Sequence, residues 1–314
     1  MVIMKKSVFI CGCPRSGTTL LGSLLGASRT NVATPESQFI IDISRKLARS
    51  EIGDGHSDIK DELINNFRFK LWNIDREFQA LPSFESESVF SDLVWRGVDF
   101  YAKKNGKESW DAWIDHTPTH VSHINYLSNM FTESYFIHLI RDGRGVYSSV
   151  KALDWGPAGV ISGAKWWTQR IAPGLAAERA IGDRIIRVRF EDLVCQPEKE
   201  LRRICGFIGI EFSLSMLDGS GFSVPKYTQG QHESVGKPPD ESISGKWKND
   251  LSIREIEIFE SISGSLLGYL GYEIMFGFTA KKPNIFERLR DILISIFIRN
   301  FSKKIYRLRR RMKV

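Results

Sequence analysis

Short apolar runs alternate along the chain with segments whose apolar residues recur at helical spacing. The runs rich in β-branched and aromatic residues predict four strands, over Ser7–Gly12, Ala112–Ile114, Tyr135–Ile140 and Arg184–Arg189. Helical patterns follow three of them, over Gly17–Ala27, from Gly143 to about Lys151, and from Pro197 to Phe207. Strands followed by helices indicate a parallel sheet covered on both faces. The pattern therefore predicts an α/β fold with ligands at the carboxyl ends of the strands.

Other segments predict helices and one long loop. Residues 38–104 show mostly helical spacing, broken by a polar stretch near Asn73–Ser88. Residues 220–245 are rich in Gly, Ser and Pro and predict a long loop, which is unusual in a compact domain unless it has a function. Ser252 and Glu255 form a capping-box pattern, which predicts the start of another helix.

Charge divides the chain into a body and a tail. The chain carries 44 Lys and Arg against 37 Asp and Glu, a net charge of +7. Residues 281–314 hold 12 of the basic residues and two acidic ones, which leaves residues 1–280 with a net charge of −3. We therefore predict one domain over residues 1–280 that binds no nucleic acid, and a basic tail over residues 281–314 whose partner is a separate question.

The tail combines helical spacing with a run of positive charge. Its apolar residues recur at Ile285, Phe286, Leu289, Ile292, Leu293, Ile296 and Phe297. Residues 299–313 then carry eight Lys or Arg and no acid. Two interpretations are open: a helix packed on the body with a solvated basic end, or a helix lying on an anionic bilayer. No run reaches the ~20 apolar residues of a spanning helix and no secretory signal precedes the first strand. We therefore expect a cytoplasmic protein, with any membrane contact peripheral and on the inner face.

The first predicted strand runs into a loop suited to binding phosphate. From Gly12 to Thr19 the sequence is Gly-Cys-Pro-Arg-Ser-Gly-Thr-Thr, and it opens the first predicted helix. Backbone N–H groups and the dipole at a helix start attract anions, and the threonines add hydroxyl donors. The spacing of Gly12 and Gly17 resembles that of a P-loop, but Thr18 stands where a P-loop has Lys, and the cation, Arg15, lies inside the loop. This departure argues against ordinary ATP or GTP hydrolysis; a plain glycine-rich turn is the alternative.

A second cation follows the predicted strand Tyr135–Ile140. Arg141 lies at the carboxyl end of this strand, and Ser149 comes about two turns into the next helix. A cation at a strand end and a hydroxyl on the adjoining helix can together hold a second phosphate. The neighbouring Asp142 and Arg144 leave an alternative open, in which these charges only stabilise the start of the helix.

Together the two motifs resemble those of sulfotransferases that use 3′-phosphoadenylyl sulfate (PAPS). The stretch Pro14-Arg15-Ser16-Gly17-Thr18-Thr19-Leu20 resembles the 5′-phosphosulfate loop of that family, and the spacing of Arg141 and Ser149 resembles its 3′-phosphate motif. The resemblance implies a P-loop-like sulfotransferase fold, a parallel sheet flanked by helices on both faces. It also implies roles for these residues: Arg15 stabilises charge on the sulfuryl group, Gly17, Thr18 and Thr19 bind the 5′-phosphate, and Arg141 and Ser149 bind the 3′-phosphate.

Two later segments extend the resemblance to most of the chain except the tail. Residues 189–209 resemble a stretch of the family in which Phe190 replaces the usual Tyr. A segment beginning at Ser234 resembles the part of the family that closes over the nucleotide, which implies that Lys246 reaches the 3′-phosphate and that Trp247 packs near the adenine. A core aromatic side chain is the alternative for Trp247.

Sulfuryl transfer needs a general base that takes the proton of the acceptor, and the sequence offers two candidates. Glu36 follows Pro35, at a point where the resemblance to bacterial and tyrosyl-protein sulfotransferases implies a catalytic Glu; a helix-start acid is the alternative. His116 stands where relatives often have Lys. Three roles are open for it: to orient the acceptor, to act as a base with Asp115, or to cap a helix beginning near Thr119.

The sequence therefore predicts an enzyme that transfers a sulfuryl group from PAPS, as co-substrate, to a hydroxyl or, less favourably, an amine. The expected acceptor is a carbohydrate, a glycolipid or another small molecule. The transfer requires no metal, and no Cys or His residues show metal-ligand spacing. Two alternatives come from other classes: a P-loop kinase or NTPase, and a nucleotide-binding protein without catalysis.

Overall fold

A parallel sheet of five strands organises the fold. The computed structural model describes residues 5–52, 58–82, 90–224, 230 and 235–296. Its strands are β1 (Lys6–Gly12), β2 (Asn31–Ala33), β3 (Ala112–Asp115), β4 (Ser134–Ile140) and β5 (Ile185–Arg189). They lie in the order β2-β3-β1-β4-β5, and β1 pairs in parallel with β3 and β4, as β2 does with β3. The predicted α/β fold is confirmed, and the strand that the sequence did not predict is β2, which has only three residues.

Helices connect the strands. They are α1 (Thr18–Gly26), α2 (Phe39–Ala48), α3 (Ile59–Asn65), α4 (Phe67–Lys70), α5 (Asp75–Gln79), α6 (Phe90–Lys104), α7 (Ile124–Met130), α8 (Gly143–Val150), α9 (Val160–Ala180), α10 (Phe190–Cys195), α11 (Pro197–Ile208), α12 (Trp247–Asp250) and α13 (Ile253–Tyr269), with a further helix over residues 285–296. The predicted helices after β1 and β4 and after Pro197 are present to within about two residues. The sequence did not predict α9, which contains Pro173 and has no one-sided apolar stripe. In the described part of the chain, no helix is both long and apolar enough to cross a membrane.

The helical prediction for residues 38–104 is confirmed in α2 to α6. The polar break is shorter than expected, because α5 lies within it, and residues 83–89 fall outside the described residues. Ser252 and Glu255 form the expected capping box at the start of α13, with Glu255 N donating to Ser252 Oγ at 3.2 Å and Ser252 N to Glu255 Oε2 at 2.9 Å. Of the predicted long loop, residues 225–229 and 231–234 are outside the described part.

The chain packs as two compact units. The sheet unit contains residues 1–12, 17–139 and 174–240, and the second unit contains residues 13–16, 140–173 and 241–314. The loop that follows β1 therefore belongs to the second unit from Cys13 to Ser16, and so does the stretch from Ile140, the last residue of β4, to Pro173.

An aromatic core fixes the central strand of the sheet unit. Phe9 of β1 is fully buried, and its ring lies 5.4 Å from Trp113 of β3 and 5.3 Å from Phe136 of β4. Each such ring contributes a large apolar area and an additional edge or stacking contact, so these strands form the rigid base of the unit. At the end of β1, a Cβ at Gly12 would overlap the backbone carbonyl of Leu139, which leaves room only for glycine there.

The second unit holds the segment after β4 against its own apolar core. Trp167 and Phe259 lie 6.0 Å apart, and a Cβ at Gly143 would be 2.5 Å from Trp167 and 2.7 Å from Phe259. Trp167 Nε1 also donates to the carbonyl of Arg141 at 3.2 Å. The backbone of Arg141 is therefore fixed by close packing and a buried hydrogen bond.

Candidate active site

The loop after β1 has the strained, closely packed backbone of a ligand-binding turn. Ser16 N donates to Cys13 O at 3.1 Å, and Arg15 has a φ of 74°, in the left-handed region that side chains rarely adopt. Gly17 has a φ of 96°, and a Cβ there would lie 2.5 Å from the Phe190 ring. Gly17 is therefore required both by its conformation and by the ring that packs on it.

The loop and the start of α1 offer hydrogen-bond donors to a ligand. The Ser16 hydroxyl is fully buried and has no hydrogen-bond partner among the described residues. Thr18 and Thr19 are buried in the first turn of α1, and no side chain caps this helix at Gly17. The first N–H groups of a helix have no partner within the helix, so this start offers donors to an anion. Pro14 is half-buried beside them in sequence.

The structure brings Arg15, Arg141 and Ser149 together in the second unit. Arg15 Nε donates to Ser149 Oγ at 3.0 Å, and Arg141 Nη1 donates to the carbonyl of Arg15 at 3.1 Å. Burial lowers the pKa of Arg15, and the positive charge of Arg141 lowers it further. Residues from two separate sequence motifs thus form one cluster of positive charge, which an anion would stabilise.

Arg144 and Asp142, in contrast, belong to the framework. Asp142 Oδ1 caps α8 by accepting from Arg144 N at 2.9 Å, and the Arg144 guanidinium donates to Asp142 Oδ2 at 2.7 Å and to Glu260 Oε1 at 2.6 Å. Burial alone would lower the pKa of Arg144, but its hydrogen bonds and the charges of Asp142 and Glu260 raise it. The open interpretation of these two residues as helix-start charges is therefore the one that the structure supports.

The late segment places Trp247 inside the second unit and Lys246 at its surface. Trp247 is buried, and the guanidinium carbon of Arg144 lies 4.0 Å from the centre of its ring, in a cation–π arrangement. Lys246 is exposed at the start of α12. A Cβ at Gly145 would lie 3.3 Å from Arg141 Nε and 3.4 Å from Trp247 Cδ1, so both side chains pack on this glycine. Ser234 lies outside the described residues.

Glu36 lies in the sheet unit on a backbone that is held on two sides. Its side chain is half-buried; Oε2 accepts from Gln38 Nε2 and lies 3.9 Å from Arg68 Nη1. The carbonyl of Pro35 accepts from Trp72 Nε1 at 3.0 Å, and Ser37 N donates to a threonine hydroxyl at 2.8 Å. The position of the Glu36 carboxylate is therefore set by its neighbours on both sides.

A buried carboxylate behind Glu36 was not identified from the sequence as a positioning group. Asp115, at the end of β3, accepts from Ser37 Oγ and from Thr117 N at 2.8 Å, and the Thr117 hydroxyl accepts from Ser37 N. Burial alone raises the pKa of Asp115, but the nearby His120 and these hydrogen bonds bring it below its usual value. These hydrogen bonds join residues about 80 positions apart, between the segment after β2 and the end of β3. Because β2 was not predicted, the sequence did not show that these two segments lie side by side.

His116 is buried beside α1. Its ring centre lies 4.7 Å from Phe222, a Cβ at Gly22 would be 2.8 Å from its Cδ2, and neither ring nitrogen has a partner among the described residues. It therefore does not cap the following helical turn. Burial lowers the pKa of His116, while the negative charges of Glu36 and Asp115 act in the opposite direction. Burial thus favours the neutral form of this imidazole, which lies within electrostatic range of Glu36.

The cysteines show no sign of a reactive thiol, and the described residues show no metal-binding cluster. All four cysteines are free, and burial raises the pKa of the Cys11 and Cys13 thiols and that of Cys205 to about 11. Within the described ranges, no group of three or more His, Cys, Asp and Glu side chains is placed to hold a metal ion.

A family model described as "Sulfotransferase family" matches residues 7–213. The chain belongs to the sulfotransferase family. The predicted membership of the sulfotransferase family and the predicted fold are thus confirmed. The match includes β1 from its second residue, β2 to β5, and every candidate residue except Ser234, Lys246 and Trp247.

This sulfotransferase is similar to proteins of diverse origin. It is 26% identical to the nodulation protein NoeE of Sinorhizobium fredii over 84% of the chain, but it spans only 65% of the length of NoeE. It is 22% identical to protein-tyrosine sulfotransferase 1 of Danio rerio, over 85% of the chain and 72% of that protein. Among solved structures, the sulfotransferase domain of the Synechococcus PCC 7002 olefin synthase superposes with a TM-score of 0.59 at 21% identity, over 87% of the chain and 97% of the domain.

Proposed function

We propose that this sulfotransferase transfers a sulfuryl group from PAPS to a hydroxyl group, less favourably to an amine, of a carbohydrate or glycolipid acceptor. The observation that carries the proposal is the cluster of Arg15, Arg141 and Ser149, drawn from two motifs that each follow a strand of the sheet. PAPS carries phosphate at both the 5′ and 3′ positions, which suits a donor set with two adjacent guanidinium groups.

Each candidate residue has a role in this proposal. Residues 14–19 wrap the 5′-phosphate with backbone N–H groups and the hydroxyls of Ser16, Thr18 and Thr19. The Ser16 hydroxyl, which has no hydrogen-bond partner among the described residues, fits such a ligand. Arg141 and Ser149 bind the 3′-phosphate. Ser234 and Lys246 contact the nucleotide as it is enclosed, and Trp247 packs near the adenine, as the family resemblance implies.

The chemistry follows from charge and proton movement. The acceptor oxygen forms a bond to sulfur while the bond from sulfur to the bridging phosphate oxygen breaks in line with it, and the guanidinium of Arg15 offsets the charge that develops on the leaving oxygen. Glu36 takes the proton of the acceptor hydroxyl. His116, a buried imidazole within electrostatic range of Glu36, orients the acceptor in this scheme, and adenosine 3′,5′-bisphosphate leaves.

Two acceptor classes have support among the relatives. Carbohydrate sulfotransferase 2 of Mus musculus is 30% identical over 93 residues, 27% of this chain. The protein-tyrosine sulfotransferase of Danio rerio matches more of the chain, so a tyrosine hydroxyl in a peptide is the second candidate acceptor. Both classes present a hydroxyl to the same base, and the choice between them is an experimental one.

Transfer from radiolabelled PAPS to glycan extracts, lipid extracts and tyrosine peptides tests the function directly. Glu36→Gln should lower turnover by about 10²-fold or more, because a neutral amide cannot accept the proton, and should leave affinity for adenosine 3′,5′-bisphosphate nearly intact. Glu211→Gln, the same change at an exposed position, is the matched control and should leave turnover unchanged. Near-normal turnover of Glu36→Gln would remove this residue from the mechanism. Tight bisphosphate binding without any transfer would instead indicate a binding protein.

A further inference from the structure

The helix over residues 285–296 turns its apolar side away from the protein. A helix on the surface of a globular protein ordinarily buries its apolar stripe. Here six large apolar side chains are between 46% and 78% exposed: Ile285, Phe286, Leu289, Ile292, Leu293 and Ile296. The helical spacing predicted from the sequence is thus present, but the stripe does not pack on the body, which was one of the two interpretations left open.

The polar side of the same helix holds it to the second unit. Glu287 accepts two hydrogen bonds from Arg254 of α13, from Nε to Oε1 and from Nη2 to Oε2, both at 2.8 Å. These bonds lower the pKa of Glu287 to about 2. The first turn is also capped, since Asn284 Oδ1 accepts from Glu287 N at 2.9 Å.

A second acidic side chain anchors the middle of the helix. Asp291 is buried and accepts from the backbone N–H groups of Ile161 at 2.9 Å and Ser162 at 3.2 Å, at the start of α9. A Cβ at Gly159 would overlap the Asp291 carboxylate, so glycine is needed for this approach. A carboxylate at a helix start is stabilised by the helix dipole as well as by the hydrogen bonds.

The two anchors determine which way the helix faces. At about 100° per residue, Glu287 and Asp291 lie within about 40° of each other around the axis, and the six exposed apolar residues lie about 120–180° from the direction midway between them. The outward direction of the apolar stripe therefore follows from specific ionic and hydrogen-bond contacts on the opposite side.

The two anchoring side chains are also the only negatively charged side chains of residues 281–314. Glu287 and Asp291 are the two acidic residues of 281–314, and both face the protein. The segment has 12 basic residues, of which Arg288 and Arg290 lie in the helix and eight follow in residues 299–313. An apolar stripe flanked and followed by cations alone is the pattern of a helix that lies in the interface of an anionic bilayer.

We propose that the helix over residues 285–296 binds an anionic lipid bilayer, with its six apolar side chains inserted among the headgroups and the basic residues of the helix, Arg288 and Arg290, contacting lipid phosphates. A second copy of the chain is a poorer occupant of this face, because it would bring two strongly basic segments together. The proposal does not depend on the transfer reaction and is tested without it.

Flotation of the full chain with lipid vesicles provides the test. The vesicles are phosphatidylcholine alone, or phosphatidylcholine with about 30% phosphatidylglycerol to give an anionic surface. The variant Leu289→Asp/Leu293→Asp changes the exposed stripe and touches neither anchor. Leu214→Asp is the matched control, since Leu214 is as exposed as Leu293 but lies in the sheet unit. Thermal unfolding checks that each variant is folded.

We expect the wild type and Leu214→Asp to float with the anionic vesicles and to bind neutral vesicles at least about 10-fold more weakly. The Leu289→Asp/Leu293→Asp variant should lose about 100-fold in partitioning to the anionic vesicles, because two apolar side chains become charged ones. Equal flotation of this variant and the wild type would overturn the proposal, as would wild type that floats with neither vesicle. A wild-type dimer in light scattering that the double variant abolishes, without flotation, would assign the face to a second copy.

Discussion

Two arginines of the second unit, Arg144 buried and Arg15 half-buried, have opposite surroundings. Arg144 is 1% exposed and donates to two carboxylates, Asp142 at 2.7 Å and Glu260 at 2.6 Å. Arg15 donates to a hydroxyl and has another arginine, Arg141, beside it. Burial lowers the pKa of Arg15 and the charge of Arg141 lowers it further. The carboxylates raise the pKa of Arg144, although burial alone would lower it.

The difference separates a charge that the fold neutralises from one that it leaves for a ligand. A guanidinium does not release its proton in a protein, so a buried one needs a counter-charge. Arg144 receives that counter-charge from the chain itself. Among the described residues, no carboxylate lies within 4.0 Å of the Arg15 guanidinium. A phosphate or sulfuryl group would supply the counter-charge there, which is why we assign Arg15 to the donor and Arg144 to the framework.

Replacing Arg144 should have the largest effect of the predicted substitutions, and this effect is on the stability of the fold. We expect Arg144→Met to lower the free energy of unfolding by about 3–5 kcal/mol, because Asp142 and Glu260 stay buried without their counter-charge. Urea unfolding followed by tryptophan fluorescence measures the loss. Arg202→Met is the matched control, whose exposed pair with Glu198 contributes at most about 0.5 kcal/mol. A loss for Arg144→Met as small as that of the control would erase the contrast between the two arginines.

Removing Arg15 should act on function instead. We expect Arg15→Ala to lower kcat/KM for PAPS by about 10²–10³-fold, because a positioned cation at the reacting group is lost. The free energy of unfolding should stay the same or rise slightly, since repulsion from Arg141 is relieved. Initial rates, and calorimetry with adenosine 3′,5′-bisphosphate, measure these effects against Arg29→Ala, the same change at an exposed position. Undiminished bisphosphate affinity together with a stability loss would make Arg15 a second framework residue.

The Arg-Asp-Gly-Arg run over residues 141–144 does not by itself show which of its two arginines contacts a ligand. Arg141 and Arg144 lie in one short motif, and their spacing alone leaves open which of them meets a ligand. The residue that distinguishes them, Glu260, is 116 positions away on α13. A pair so distant in sequence leaves no local pattern, so the role of Arg144 could be read only from the fold.

Local patterns account for what the sequence did predict. The strand, glycine loop and helix of residues 7–27 are contiguous, so their order alone indicated a phosphate-binding turn. The link from Ser37 to Asp115 joins the ends of β2 and β3, and β2 is too short to show a strand pattern. The outward face of helix 285–296 also depended on distant partners, Arg254 and the start of α9.

His116 extends the comparison to a buried side chain that can release its proton and become neutral. Its ring is 2% exposed, and neither nitrogen finds a hydrogen-bond partner in the part of the chain that the structure describes. An arginine there would need an anion, whereas an imidazole can release its proton. Burial lowers the pKa of His116, and the charges of Glu36 and Asp115 oppose this shift without reversing it. We therefore expect the smallest effect from replacing His116, because its imidazole can avoid the cost of a buried charge by releasing its proton.

His116→Asn should accordingly reduce the pH dependence of stability. Below the usual pKa of 6.5 the unfolded chain binds a proton on this imidazole, while the folded protein keeps it neutral. The wild type should therefore lose about 1 kcal/mol of unfolding free energy per pH unit from this side chain as the pH falls below that value, until the lower folded-state pKa is reached. Urea unfolding of both proteins at about pH 7 and about pH 5.5 isolates this contribution as the difference in slope. Equal slopes would mean that the folded protein protonates His116 in spite of its burial. His116 would then be a buried cation that, like the half-buried Arg15, needs an anion, and the sheet unit would hold a second anion-binding group.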